Sequence, residues 1–135
     1  MKKILALAIL LSFALMTSTS CKKYEEGPLI SLKTKSARLT RSWKLDKAEQ
    51  NGVDVTNAFP ELKQTFNDDG TYLGSNNGVP FTGTWEFDGD KENILIKYTG
   101  ASDTESWKII RLKSKELWLD NDVNGTITRF FWVEE

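Results

Sequence analysis

The chain has 135 residues, a formal net charge of −1 and one cysteine, so it holds one small domain and no internal disulfide. Histidine is absent, which excludes Ser-His-Asp and Cys-His catalysis and the common zinc sites. Lysine and arginine form no basic stripe, which argues against nucleic acid as a partner.

The chain begins with Lys2 and Lys3, an apolar run from Ile4 to Met16, and the small residues Thr17-Ser18-Thr19-Ser20 before the lone Cys21. The run is too short for a hydrocarbon core, which needs about 20 apolar residues, so residues 1–20 read as a removable signal peptide. The block resembles the lipobox of bacterial lipoproteins, with Ser18 where that motif usually carries Leu. The resemblance implies that Cys21 is lipidated and is the chain's attachment to a membrane. Acylation also gives a lone thiol a role in an oxidising compartment, where it has no internal partner. Loss of Lys2 and Lys3 leaves 16 basic residues against 19 acidic ones, a mature net charge of −3.

Residues 21–38 have mixed charge, Gly27-Pro28 and no sustained apolar period, and read as a tether. A coil of about 17 residues has a reach of roughly 20–25 Å. The "KKYEE" that follows Cys21 resembles surface-export signals of some Gram-negative lipoproteins. The expected location is therefore the outer membrane of a bacterial envelope, on the periplasmic face or the cell surface.

From Leu39 to Glu135 the pattern is one of short β-branched and aromatic segments separated by turn residues. A helical turn is expected near 35–40 and another near 57–62. Strands are expected at 42–50, 62–67, 71–75, 81–88, 93–100, 105–112, 116–120 and 126–134. Asn-Gly and Asp-Gly pairs between them suit tight hairpins, which force antiparallel neighbours. Eight such strands bury their edges by closing, so the expected fold is all-β, an antiparallel up-and-down barrel. Phe81, Gly83, Trp85 and Phe87 alternate onto one face of their strand, with Gly83 placed to let it bend.

"LTRSWKLDKAEQNGVDVT", "QTFNDDGTYL", "FTGTWEFDGD" and "KELWLD" together resemble the small lipocalin-like domains of bacterial lipoproteins. The resemblance covers residues 39–135 and implies an eight-stranded barrel preceded by a short helix. It also implies a fold signature in which Trp43 packs under the barrel and Arg129, from the last strand, covers it. Arg41 stands where such domains usually have Gly.

Five Trp, three Tyr and seven Phe are the remaining chemical signal. Phe81, Trp85, Phe87, Tyr98 and Trp107 are the candidate ligand-binding residues, and the sequence leaves open whether they line a pocket or fill it. Trp118, Phe130 and Trp132 are read as a shared outward face near the last hairpin, suited to a protein partner. Asp120, Asp122, Asn124 and Gly125 match half of a calcium loop, but Phe131 stands where the closing Glu belongs, so the segment reads as a polar turn. No cofactor, metal or catalytic residue is assigned. The expectation is a non-enzymatic, membrane-anchored barrel that binds a small apolar or amphiphilic ligand. The alternative is a packed barrel that serves an envelope protein as an interaction module.

Overall fold

A computed structural model describes residues 34–135. The expected signal peptide, Cys21 and most of the expected tether lie outside the described residues. The first element is a short helix, α1 (Lys35–Leu39), capped by Thr34, whose hydroxyl accepts the Ala37 N–H. The last residues of the expected tether are thus helical, and Leu39 is fully buried.

The strands are β1 (Ser42–Gln50), β2 (Val53–Asp54), β3 (Lys63–Phe66), β4 (Thr71–Asn76) and β5 (Val79–Phe87). They continue as β6 (Asn93–Tyr98), β7 (Glu105–Leu112), β8 (Glu116–Val123) and β9 (Thr126–Glu134). All neighbours are antiparallel, and β1 closes the barrel by pairing with β9 from Trp43 to Gln50. Eight strands form the wall, as expected. The ninth, β2, is a two-residue addition that pairs only with the end of β1. Asn77-Gly78 and Asn124-Gly125 both take positive φ at each residue, the backbone of a two-residue hairpin whose twist matches its strands. The latter turn is tighter than expected, so β8 runs on to Val123.

The wall is not uniform at one seam. β1 pairs with β3 only through Ser42, Trp43 and Lys44, and then diverges towards β2. The segment between β2 and β3 fills the resulting notch. Thr56 anchors it: its hydroxyl accepts the Ala48 N–H at 2.9 Å, and Asp54 accepts its N–H at 2.9 Å. A short 3-10 turn (Thr56–Ala58) then delivers Phe59 onto Phe130, ring to ring at 4.9 Å.

The two ends of the barrel differ. At one end α1 covers the floor: the indole N–H of Trp43 donates to the Leu39 carbonyl at 3.0 Å, and Lys35 donates to the Lys91 carbonyl in the β5–β6 turn. Trp43, Phe66, Ile94, Leu112 and Leu117 fill that half and are essentially inaccessible to solvent. The opposite end, ringed by the β4–β5, β6–β7 and β8–β9 connections, is the mouth.

Candidate functional site

The mouth is built by alternation. In β5 the inward positions are Phe81, Gly83, Trp85 and Phe87, in β6 Ile94, Ile96 and Tyr98, and in β7 Trp107 and Ile109. All five candidate ligand-binding rings therefore point inward, but they do not form one group. Trp85 and Phe87 lie towards the floor, where the Trp85 indole donates to the Asn67 carbonyl at 2.8 Å and packs edge-on to Phe87 and Phe66. Phe81, Tyr98 and Trp107 lie at the mouth, each only partly buried.

Two ring clusters face each other there. Tyr72, Phe81 and Tyr98 form a triangle with centroids 5.9–6.1 Å apart, Phe81 lying against the Cα of Gly74, where a Cβ has no room. Phe59, Trp107 and Trp132 gather around Phe130 at 4.9, 5.2 and 6.2 Å.

A polar line runs between the rings. The Tyr72 hydroxyl donates to Oε1 of buried Gln64 at 2.9 Å, the Tyr98 ring lies 5.9 Å from that of Tyr72, and Glu105 stands near Tyr98 at the rim. Glu105 also accepts the Trp107 indole N–H at 3.1 Å. Burial, and then Glu105, push the Tyr98 phenol up to about 12, and burial raises Tyr72 further still. Unfolded tyrosines ionise near pH 10, whereas Tyr98 stays protonated, so the stability it contributes is complete below pH 10 and is lost between about 10 and 12. The urea midpoint should accordingly fall steeply across that interval, and less steeply in Tyr98→Phe.

Several expected placements are corrected. Trp43 sits opposite Glu134 and Arg129 opposite Glu49 in the β1–β9 register, which puts Arg129 about 16 Å along the strand from Trp43. Arg129 instead forks onto Asp120 at 2.7 and 3.0 Å, and Arg41 lies 5.9 Å from the Trp43 ring centroid. The outward patch of Trp118, Phe130 and Trp132 does not exist either. Phe130 and Trp132 face inward and are buried, because they stand opposite Leu119 and Leu117. Trp118 shares its outer face with Phe131, with Arg111 stacked on it at 4.1 Å and Lys47 5.8 Å from the Phe131 ring. In the 120–125 segment Asp122 accepts the Gly125 N–H at 2.8 Å, a turn-closing bond.

Sequence reasoning missed Tyr72, Gln64, Phe59 and Trp132 as mouth or interior residues. Tyr72 had a findable signal, since two-residue alternation from Phe66 through a tight turn places it on the same face. Phe59 had none, because it lies outside any strand. Two concavities lie elsewhere on the surface. A side cleft of about 380 Å³ between Lys44, Leu45, Leu62, Lys63 and Ser75 follows the seam, and a polar groove of about 890 Å³ lies outside β7 and β8 near Lys108, Asp120 and Asp122.

A family model described as the lipocalin-like domain matches residues 39–119, more than half of the chain. The chain belongs to the lipocalin-like domain family. A crystal structure of a DUF4847 family protein from Bacteroides vulgatus has a similar fold, with a TM-score of 0.52 at 18% identity over 73% of this chain and 94% of the other. That likeness concerns the fold alone. No curated protein matches the sequence. Lipocalin-like barrels are typically binding domains without enzymatic activity, which makes the mouth, not an outer face, the place to seek function.

Proposed function

We propose that this lipocalin-like protein is a non-enzymatic, membrane-anchored lipoprotein of the bacterial envelope that holds a small apolar or amphiphilic ligand in the barrel mouth. One observation carries the reading: Phe81, Tyr98 and Trp107 point inward at the end that α1 leaves open, and remain partly accessible. Rings of this kind supply apolar area with little side-chain entropy to lose, and a barrel of eight strands encloses about one small ligand.

Lipidation of Cys21 completes the reading. The chain enters the barrel at Thr34, beside the covered floor, so a tether from Cys21 attaches at that end and turns the mouth away from the membrane. Twelve residues lie between the two. Such an arrangement suits capture of a ligand from the aqueous side or from a partner, while the protein stays in place. A fatty-acid analogue should label the wild type and not Cys21→Ala, and the variant should move from the membrane to the soluble fraction. Equal labelling would remove the anchor from this account.

Binding is tested by titrating apolar and amphiphilic probes while following tryptophan emission. Trp107, at the mouth, should change its emission on occupancy, and Trp107→Phe should lose most of that change. Native mass spectrometry of freshly purified protein without any bound small molecule, together with no spectral response to any probe, would count against the reading.

A further inference from the structure

The inside of the barrel holds polar atoms that no partner satisfies among the described residues. Gln64 is 3% exposed and Trp132 2% exposed, and neither Nε2 of Gln64 nor Nε1 of Trp132 has a hydrogen-bond partner. Buried donors are normally paired, so each such atom demands an explanation. The contrast within the chain is sharp: the indoles of Trp43, Trp85 and Trp107 all donate to an oxygen. Oε1 of Gln64 is occupied by Tyr72, which leaves its amide N–H groups to face the interior as donors.

The two donors belong to one region. Gln64 stands opposite Trp43 on one side of β1, and Trp132 stands opposite Leu45 on the other. With strands about 4.8 Å apart and an offset of two residues, their Cα atoms lie roughly 12 Å from each other, and both side chains project into the same interior. Trp43 and Leu45 of β1 stand between the two residues, so both donors border the same stretch of the interior.

The charge of an acceptor there follows from its surroundings. Lys44, Lys47, Lys63, Lys97, Lys108, Arg111 and Arg129 all sit on outward or exposed strand positions, and Arg38, buried with its Nε and Nη1 unpartnered, belongs to α1 under the floor and not to the wall. No cation therefore faces the interior from the wall to compensate an anion, and burying an unpaired charge is costly. The rim carries Glu105, beside Tyr98 and Trp107, and the unpaired Oδ1 of Asn76 is an acceptor on the inward side of β4. Both oppose an entering carboxylate.

Building on the ligand-binding reading, we propose that the barrel takes a neutral apolar molecule bearing a carbonyl group, whose oxygen accepts from Nε2 of Gln64 and Nε1 of Trp132. Ketones, esters and lactones fit this description, and fatty-acid anions do not. The aromatic clusters around Phe81 and Phe130 hold the apolar remainder.

Three probes of equal length separate the possibilities in equilibrium dialysis at pH 7.5: octan-2-one, octanoate and octane. The ketone should bind about tenfold more tightly than either of the others. Trp132→Phe and Gln64→Met each remove the donor and keep the bulk. Each should weaken the ketone about five- to tenfold and leave octane unchanged, octane serving as the check that the barrel is still formed. Because Gln64→Met also strips Tyr72 of its acceptor, Trp132→Phe is the cleaner of the two. Octanoate binding as tightly as the ketone overturns the proposal. So does equal binding of ketone and octane, the result expected if internal water alone satisfies the two donors. In either case the ligand-binding reading survives; failure of all three probes to bind removes both.

Discussion

Trp43→Ala should lower the unfolding free energy by about 3–5 kcal/mol, read as a shift of the urea midpoint at unchanged slope. The side chain is fully buried and is the point where the floor is built. Its indole N–H reaches the Leu39 carbonyl at 3.0 Å, so one residue joins α1 to β1, while β1 itself is held by β3 on one side and β9 on the other. Alanine leaves a void the size of an indole beneath the barrel and leaves the Leu39 carbonyl with the Arg41 N–H alone. Trp43→Phe keeps most of the apolar volume and should cost clearly less. Arg129→Ala is the informative companion. Were Arg129 stacked on Trp43, its loss would open the floor as well. It pairs instead with Asp120 on a partly exposed outer face, with 38% of its side chain accessible, so its loss should cost no more than about 1 kcal/mol. Similar large losses in both variants would contradict the geometry described above.

The misplacement of Arg129 and of Trp132 has a common origin in register. The limits of β1, β7 and β9 follow directly from runs such as "SWKLDKAEQ" and "TITRFFWVE", because alternation of apolar and polar residues has period two. Which alternate set faces inward is a separate matter when both sets are apolar, as in Phe130-Phe131-Trp132. The hairpin turn decides it. With Asn124-Gly125 as a two-residue turn, Val123 meets Thr126, and counting back brings Leu119 onto Phe130 and Leu117 onto Trp132. Residues opposite one another share a face, so four apolar side chains fall inside together and Trp118 goes outside with Phe131. Ending β8 at Asp120 leaves a five-residue loop, three residues too wide, and that odd error moves Trp118 onto the face of Phe130 and Trp132. The same counting along β1 and β9 sets Arg129 far from Trp43.

Other features leave no trace in a pattern of period two. Bulges at Leu45/Lys47 and Ile109/Arg111 shift the alternation midway, which is how Ile109 and Ile110 are both buried. The plug at Phe59 depends on Thr56 and Asp54 holding a loop against β1, a contact between residues whose side chains merely look like turn formers. The five candidate rings were legible as inward-facing, since β5 to β7 carry no bulge before Ile109. Their division between floor and mouth was not, because it depends on the direction in which each strand crosses the wall.

Gly83→Ala should destabilise the protein by about 2–4 kcal/mol, a large effect for one added methyl group. A Cβ at this position would stand 2.3 Å from the Lys97 carbonyl oxygen and 3.1 Å from the Tyr98 Cα. These are backbone atoms of the paired strand, so no rotamer change relieves the contact and β5 must move away from β6. The glycine was expected to let the strand bend; what it does here is admit the neighbouring backbone. Gly89→Ala is the control, since a Cβ there meets nothing within 4 Å, and it should be nearly neutral. Urea denaturation of the two variants side by side gives the comparison, and equal stability would show that the β5–β6 pair is not closed as described. The consequence for function follows from the register. Gly83 stands opposite Tyr98, and Tyr98 is one corner of the ring triangle at the mouth. Spreading this pair should therefore loosen Phe81 and Tyr72 as well, so that a Gly83→Ala protein that still folds should bind apolar probes more weakly, although the substitution touches no ligand.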